Sequence, residues 1–370
     1  MEHSDYMRLA LELAQKGMGF VSPNPMVGAV IVKDGKIIGQ GWHRKYGDLH
    51  AERNAFADCD SRRVDCTGAD MYVTLEPCCH HGKQPPCTEA VIAHGIKRVF
   101  IGSADPNPLV AGKGVQILRD HGIEVVEDVL RQECDSINEI FFRYITTKRP
   151  FVTMKYAMTM DGKIACYTGD SKWITGEEAR KNVHRERLRH TAIMAGIGTV
   201  LADDPLLTCR TEGGRDPIRI ICDSSLRIPL ESNIVRTAGG IRTIIAAASE
   251  DEARAQQLKD AGCEVIYCGG ADGRIDLPEL MRILGEELRI DSILLEGGGE
   301  LNWSALKSGI VTKVQAYIAP KLFGGRAKSP VEGRGVPVPG EAFMLEDSKI
   351  VRFGDDFMIE SKVRYPCSQD

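Results

Sequence analysis

The sequence predicts two successive α/β domains in one chain of 370 residues. Three observations carry that reading. The length exceeds what a single hydrophobic core ordinarily serves and suits two. Short β-branched runs alternate with amphipathic stretches from end to end, the pattern of helices layered on a sheet. A basic, proline-bearing break, Lys148-Arg149-Pro150, interrupts the alternation, and a new strand pattern starts at Phe151. The domains are therefore expected at residues 1–147 and 150–370.

In the first domain, residues 6–17 space their apolar side chains as an amphipathic helix closed by Gly17. Ser22-Pro-Asn-Pro25 is a loop. Val27–Val32 and Lys36–Gly41 are strands joined by the hairpin turn Asp34-Gly35. A helix begins at His50 and runs to Ala57. The strand Asp70–Leu75 leads straight into Glu76-Pro77-Cys78. Helix, strand, helix and strand follow at 88–94, 98–102, 114–120 and 123–126, and one helical stretch spans 129–147. The second domain offers strands at 151–155, 191–195, 218–222, 243–248, 263–267 and 292–296. Helices are expected between them at 177–189, 250–261 and 277–287. Late strands at 313–319 and 357–364 suit an antiparallel edge.

Composition narrows the function classes. Hydrophobic residues make up 43% and charged residues 27%, the balance of a soluble globular protein. A formal net charge of −5 argues against a nucleic-acid surface, which is basic as a rule. There is no apolar run of about 18 residues, the length a membrane-spanning helix needs. The start, Met1-Glu2-His3-Ser4-Asp5, lacks the basic and apolar regions of a secretory leader. The twelve cysteines, from Cys59 to Cys367, show no disulfide-like spacing. A cytoplasmic location and no membrane partner are expected.

The chemistry concentrates in His50-Ala51-Glu52, Pro77-Cys78 and Cys87. One imidazole and two thiolates are three ligands for one Zn²⁺, with a fourth position open to water. Helix starts at His50 and Cys87 favour the thiolate through free N–H groups and partial positive charge. Glu52 is read as the proton carrier and not as a ligand. Zinc deaminases of amino-substituted bases carry H-x-E…P-C-x-x-C; here eight residues, Cys79 to Pro86, separate the cysteines instead of two. A structural zinc site would need a fourth ligand, for which His80 or His81 would be at hand. Both are read instead as loop residues near the substrate mouth. Asn24, between two prolines, suits either a stiff turn or a fixed amide that binds substrate.

These motifs resemble those of the bifunctional riboflavin-biosynthesis family, in which a diaminohydroxyphosphoribosylaminopyrimidine deaminase is fused to a 5-amino-6-(5-phosphoribosylamino)uracil reductase. In the first half the resemblance rests on Pro23-Asn-Pro-Met-Val-Gly28, His50-Ala-Glu52, Thr74–Cys87, Asp105-Pro-Asn-Pro108 and Gly112-Lys-Gly114. The long cysteine spacing is that family's own. In the second half it rests on Lys155–Lys163, Ser171-Lys-Trp-Ile-Thr175, Gly198–Pro205 and Leu295-Glu-Gly-Gly-Gly299. The resemblance implies a cytidine-deaminase-like α/β/α domain followed by a dihydrofolate-reductase-like domain that uses NADPH.

Read physically, Ser292–Glu296 followed by three glycines is a strand, a tight turn and a helix start, which lets phosphate approach backbone N–H groups. The spacing is not G-x-G-x-x-G, so a Rossmann site is not supported. The resemblance assigns Gly298, Gly299, Glu300, Leu301, Asn302, Trp303 and Ser304 to the cofactor phosphates. It adds Ala157, Trp173, Thr199 and Asp203 to the cofactor site, and Ser224, beside Arg227, suits a ribose 2′-phosphate. For Trp173 a place in the core is the competing reading. Ser171, Arg187, Leu207, Arg210 and Glu296 are implied for the phosphoribosyl substrate, with Lys155 at the reacting ribose end, where Asp203 is a second candidate. Two arginines suit a phosphate dianion. The expected partner is a small phosphoribosyl pyrimidine, in a homo-oligomer, with no nucleic acid. An editing deaminase acting on nucleic acid and a non-catalytic zinc module are the alternatives; the negative charge and the second domain oppose the first, and Glu52 opposes the second.

Overall fold

Residues 1–365 are described by a computed structural model, so Cys367 lies outside the described residues. The chain divides into two units, Met1–Lys148 and Arg149–Asp370. Each builds its own sheet, of five and nine strands.

The first unit opens with α1 (His3–Gln15), begun earlier than the apolar spacing suggests because Glu2 and Asp5 form a reciprocal capping box. The helix ends at Gln15, and Gly17 serves close packing instead: a Cβ there would lie 2.5 Å from the His43 carbonyl oxygen. β1 (Gly28–Lys33) and β2 (Lys36–Trp42) meet at Asp34 and Gly35, whose φ values of 49° and 73° suit a tight hairpin. Then come α2 (Ala51–Ser61), β3 (Asp70–Leu75), α3 (Cys87–Ala93), β4 (Arg98–Ser103), α4 (Lys113–Asp120), β5 (Glu124–Val126), α5 (Arg131–Ile137) and α6 (Glu139–Thr147). The sheet order is β2-β1-β3-β4-β5, with β3, β4 and β5 parallel and β1 antiparallel to both neighbours.

Alternation along β1 makes the layers. Ala29 and Ile31 face Phe56 of α2, Val91 of α3, Leu118 of α4 and Phe141 of α6. Val30 and Val32 face Met7 and Ala10 of α1. The single helix predicted over 129–147 is two, divided at Asn138. That buried side chain accepts the Met26 N–H at 2.8 Å and donates to the Met26 carbonyl at 3.0 Å, fastening the chain just before β1.

The second unit runs β6 (Phe151–Thr159), α7 (Glu177–Arg189), β7 (Ala192–Gly196), α8 (Ile197–Asp203), β8 (Ile218–Cys222), α9 (Asn233–Arg236), β9 (Thr243–Ala247), α10 (Glu252–Asp260), β10 (Glu264–Tyr267), α11 (Leu277–Arg282), β11 (Ser292–Leu295), α12 (Gly299–Lys307), β12 (Lys313–Ala319), β13 (Met344–Phe353) and β14 (Asp356–Arg364). The order is β10-β9-β8-β7-β11-β6-β12-β14-β13. The first seven strands in that order are parallel, and β7, β8, β9 and β11 among them are largely buried, as strands covered on both faces should be. Ile220 and Ile293 pack with α11 and α12, while Ile221 and Ile245 pack with α8, α9 and α10.

Two expectations change here. β12 is interior, parallel to β6 and antiparallel to β14, so the antiparallel edge is β14 and β13. The helix expected over 277–287 becomes a π turn at Ile283–Glu287. Among the described residues no helix is long and apolar enough to cross a membrane.

Candidate active sites

In the first unit the sheet delivers the metal donors. β3 carries the chain into Pro77, which has no N–H with which to continue a ladder, and then to Cys78. His50 is the N-cap of α2, and its extended backbone, φ −70° and ψ 166°, turns it out of the helix. Cys87 opens α3, and its N–H reaches both the Cys78 carbonyl at 3.0 Å and the Cys78 Sγ at 3.4 Å. The donor atoms of His50, Cys78 and Cys87 lie within 4.8 Å of one another. His50 Nδ1 is 3.5 Å from each sulfur. Tetrahedral zinc with ordinary Zn–N and Zn–S lengths would set those atoms about 3.5 Å apart, so the residues fit the ion.

Glu52 stands outside this cluster, 3% exposed in the first turn of α2, and burial first of all raises its carboxyl above the ordinary range. Hydrogen bonding from the Cys87 thiol, aided by His50, lowers the Cys78 thiol, while hydrogen bonding to Cys78 and burial raise Cys87. A cavity of about 370 Å³ opens over Glu52, Cys78 and His50 and is walled by Asn24, His43 and Asp105.

Asn24 is more than a turn residue. Its Nδ2 lies 3.2 Å from His43 Nε2, and His43 Nδ1 lies 3.1 Å from the Leu49 carbonyl. The carbonyl only accepts, so Nδ1 carries the proton and Nε2 accepts from the amide. Asn24 Oδ1 is left for a donor in the cavity. His80 lines the cavity, whereas His81 is exposed and outside its wall. Neither belongs to the metal cluster, nor does Cys79, whose thiol points to the Leu109 carbonyl at 3.7 Å.

Sequence reasoning missed His43, Glu76 and Asp105. Glu76 accepts the N–H groups of Gly112 and Val115 at 3.0 and 3.2 Å and so fixes the start of α4. Burial lifts the Asp105 carboxyl to about 6. Gly112 has φ 81°, and a Cβ on Gly114 would lie 2.3 Å from the Pro77 carbonyl oxygen, which explains the Gly-Lys-Gly motif physically.

In the second unit the candidates collect at the carboxyl ends of parallel strands, where open α/β sheets bind ligands. Glu296, just past β11, takes Arg187 in a fork at 2.7 and 3.1 Å and Lys155 at 3.4 Å. Despite burial, those two cations hold its carboxyl well below the carboxylate range. Arg187 also donates to the Thr208 carbonyl at 2.8 Å. Its fork is therefore engaged, and Arg210, exposed, is the arginine with an open one.

The first intrahelical bond of α12 runs from the Asn302 N–H to the Gly298 carbonyl, leaving the N–H groups of Gly299, Glu300 and Leu301 without helical acceptors. A Cβ on Gly298 would find only Thr199 Oγ1, at 4.0 Å, so the approach is open. That cradle fits the phosphates of a dinucleotide. Thr199 and Leu301 flank it, since a Cβ on Gly196 would sit 3.6 Å from Leu301. Asn302 is buried and donates to the Pro330 carbonyl at 2.8 Å, and the Ser304 hydroxyl is spent on the Glu300 carbonyl. Trp303 packs on Phe343, with ring centroids 6.0 Å apart.

Trp173 is 61% exposed, which removes the core reading; Arg180 lies 4.9 Å above its ring. Ala157 is half-buried beside the Tyr317 cluster, and Leu207 is buried with φ 53°. Ser224 follows β8 and receives the Ala248 and Ser249 N–H groups on its carbonyl. Ser171 is half-buried, and Asp203 is exposed at the end of α8, one turn after Thr199.

Two family models match the chain: the cytidine and deoxycytidylate deaminase zinc-binding region over residues 1–103, and the RibD C-terminal domain over residues 150–359. Fold and sites thus define a bifunctional enzyme, a zinc-binding deaminase joined to a reductase. Riboflavin biosynthesis protein RibD of Actinobacillus pleuropneumoniae is 52% identical over 99% of this chain and 96% of its own length. That of Escherichia coli is 37% identical over 96% and 98%. A solved diaminohydroxyphosphoribosylaminopyrimidine deaminase/5-amino-6-(5-phosphoribosylamino)uracil reductase from Thermotoga maritima superposes with a TM-score of 0.85 at 39% identity, covering 98% of this chain and 99% of that one. Acinetobacter baumannii RibD does so with a TM-score of 0.85 at 33% identity and the same coverage. The chain belongs to the RibD family of riboflavin-biosynthesis enzymes.

Proposed function

We propose that residues 1–147 deaminate 2,5-diamino-6-(5-phosphoribosylamino)pyrimidin-4(3H)-one to 5-amino-6-(5-phosphoribosylamino)uracil, and that residues 150–370 reduce the ribosyl group of that product to ribityl with NADPH. The observation that carries the reading is the three-donor cluster of His50, Cys78 and Cys87, with buried Glu52 beside it in one cavity.

His50, Cys78 and Cys87 would hold zinc. When bound, the ion supplies the Lewis acidity that makes water a nucleophile near neutral pH. Glu52 takes the two protons of the attacking water in turn, passing the first to the ring nitrogen and the second to the departing amine, which leaves as ammonia. A buried carboxyl in the first turn of α2, beside the three donors, is placed for that shuttle. Asn24, its amide turned by His43, accepts from a donor on the pyrimidine.

In the reductase unit the first-turn N–H groups of α12 would hold the cofactor phosphates, Thr199, Leu301, Ala157 and Trp173 would line the same site, and Ser224 with Arg227 would meet the 2′-phosphate. When bound, NADPH supplies the hydride. Arg210 meets the substrate phosphate. Glu296 fixes Lys155 and Arg187 for the ribose end, and Leu207 and Ser171 are further substrate contacts. A reducing cytoplasm suits a chain whose described cysteines are all free thiols.

Incubation with the diaminopyrimidinone ribosyl phosphate should release ammonia without NADPH, and NADPH oxidation should require the substrate. Glu52→Gln should keep its zinc and lose deamination by a factor of about 10² or more. Persistent ammonia release by that variant would refute the mechanism.

A further inference from the structure

Three consecutive loop residues after α8 are tied to one face of α7. The Thr208 carbonyl accepts from Arg187 Nη1 at 2.8 Å, the Cys209 thiol donates to the His184 carbonyl at 3.4 Å, and the Arg210 N–H donates to His184 Nδ1 at 3.3 Å. His184 and Arg187 are three residues apart and so share a helix face. Ahead of them Leu207 is buried at φ 53°, a conformation that a branched side chain avoids unless its surroundings impose it. Behind them the Cys209 N–H is caught by Asp216 at 2.8 Å. The segment 207–210 is therefore moulded on α7, and what it presents outward is the Arg210 guanidinium. Arg210 is exposed, and no carboxylate among the described residues pairs with it.

We propose that His184 is a positioning residue of the reduction step: its Nδ1, by accepting the Arg210 amide hydrogen, sets Arg210 at the place where the phosphate of the phosphoribosyl substrate binds. This rests on reading Arg210 as the phosphate ligand. An Nδ1 that accepts must be unprotonated, so the ring is the neutral Nε2–H tautomer. Burial first, then the charges of Arg187 and Arg210, lowers the His184 pKa from its ordinary value and keeps that lone pair free at neutral pH. The expected signature is in substrate affinity and not in the hydride step, because the ring acts through the arginine.

The test uses the full-length enzyme with saturating NADPH, the phosphoribosylaminouracil, and the same compound without its phosphate. His184→Phe keeps a ring and removes the acceptor. His184→Asn keeps an acceptor the same number of bonds from the backbone. H184F should raise KM for the phosphorylated substrate about tenfold with kcat within twofold, as the loss of one aimed hydrogen bond implies. H184N should return KM to within threefold of wild type, and on the dephosphorylated compound all three proteins should share one KM. If H184F does not fold, His184→Gln, whose amide lies one bond further out, takes its place against H184N. The proposal fails if kcat falls while KM holds, if KM rises equally on both compounds, or if H184N behaves as H184F does. A wild-type enzyme indifferent to the phosphate overturns the reading of Arg210, and the proposal with it. Failure at His184 alone looks different: wild type discriminates between the compounds and H184F discriminates equally well.

Discussion

At the scale of single residues, much of the apparatus consists of side chains that aim other side chains. His43 holds the Asn24 amide through Nε2 and is itself held by the Leu49 carbonyl. His43→Phe and Asn24→Ala should each lower kcat/KM for deamination about tenfold, with zinc content unchanged, and the double variant should lose little more than either alone. Steady-state ammonia release, read as a double-mutant cycle, checks the coupling. Glu296 makes a second residue-scale prediction. Replacing it by Gln leaves Lys155 and Arg187, themselves largely shielded, without a counter-charge, and should cost about 3 kcal/mol in urea unfolding. The pH sense follows from the depressed carboxyl. Its contribution is complete above the ordinary value of 4.5 and is lost as pH falls toward the folded value, so wild type should weaken through acid pH more steeply than E296Q. His50, Glu52, Cys78 and Cys87 were legible because short motifs announce them. His43, Glu76 and His184 were not, because their partners are near in space while the intervening chain gives no local pattern.

At the scale of elements, legibility followed burial. Strands β3, β8 and β12 and helix α7 coincide with their predicted spans because both patterning and flanking breaks are strong there. β13 escaped notice because nearly all of its residues are exposed and no alternation marks it. The break between α5 and α6 escaped because its cause, Asn138 gripping Met26, spans most of the unit. β8 hides a further element-scale fact. Its Arg219 is fully buried and donates to the hydroxyls of Thr243 and Thr237 and to the carbonyls of Leu206, Ile234 and Ile241, so that one guanidinium joins β8, α9 and the start of β9. Arg219→Met keeps bulk and orphans those acceptors. The urea midpoint of the reductase unit should fall by the equivalent of about 3 kcal/mol.

At the scale of the molecule, the two units have separate sheets and separate hydrophobic clusters. A chain divided between Lys148 and Arg149 should therefore yield two folded pieces. The first should keep zinc and release ammonia from the diaminopyrimidine. The second should oxidise NADPH only when given the deaminated product. Circular dichroism and the two assays on the separate pieces check this. The bipartite plan was readable from the restart of strand pattern after Pro150. The order of nine strands was not, since pairing between parallel strands leaves no mark on local sequence.

The stretch that separates Cys78 from Cys87 is eight residues long. Its ends are stitched by backbone: the Cys87 N–H is bound to the carbonyl and sulfur of Cys78. Its middle supplies His80, Lys83 and Gln84 to the cavity wall. The donor triangle is thus insulated from whatever lies between the stitches. The visor between the stitches can therefore change its side chains, and with them the wall that a ligand meets, without moving the seat formed by His50, Cys78 and Cys87.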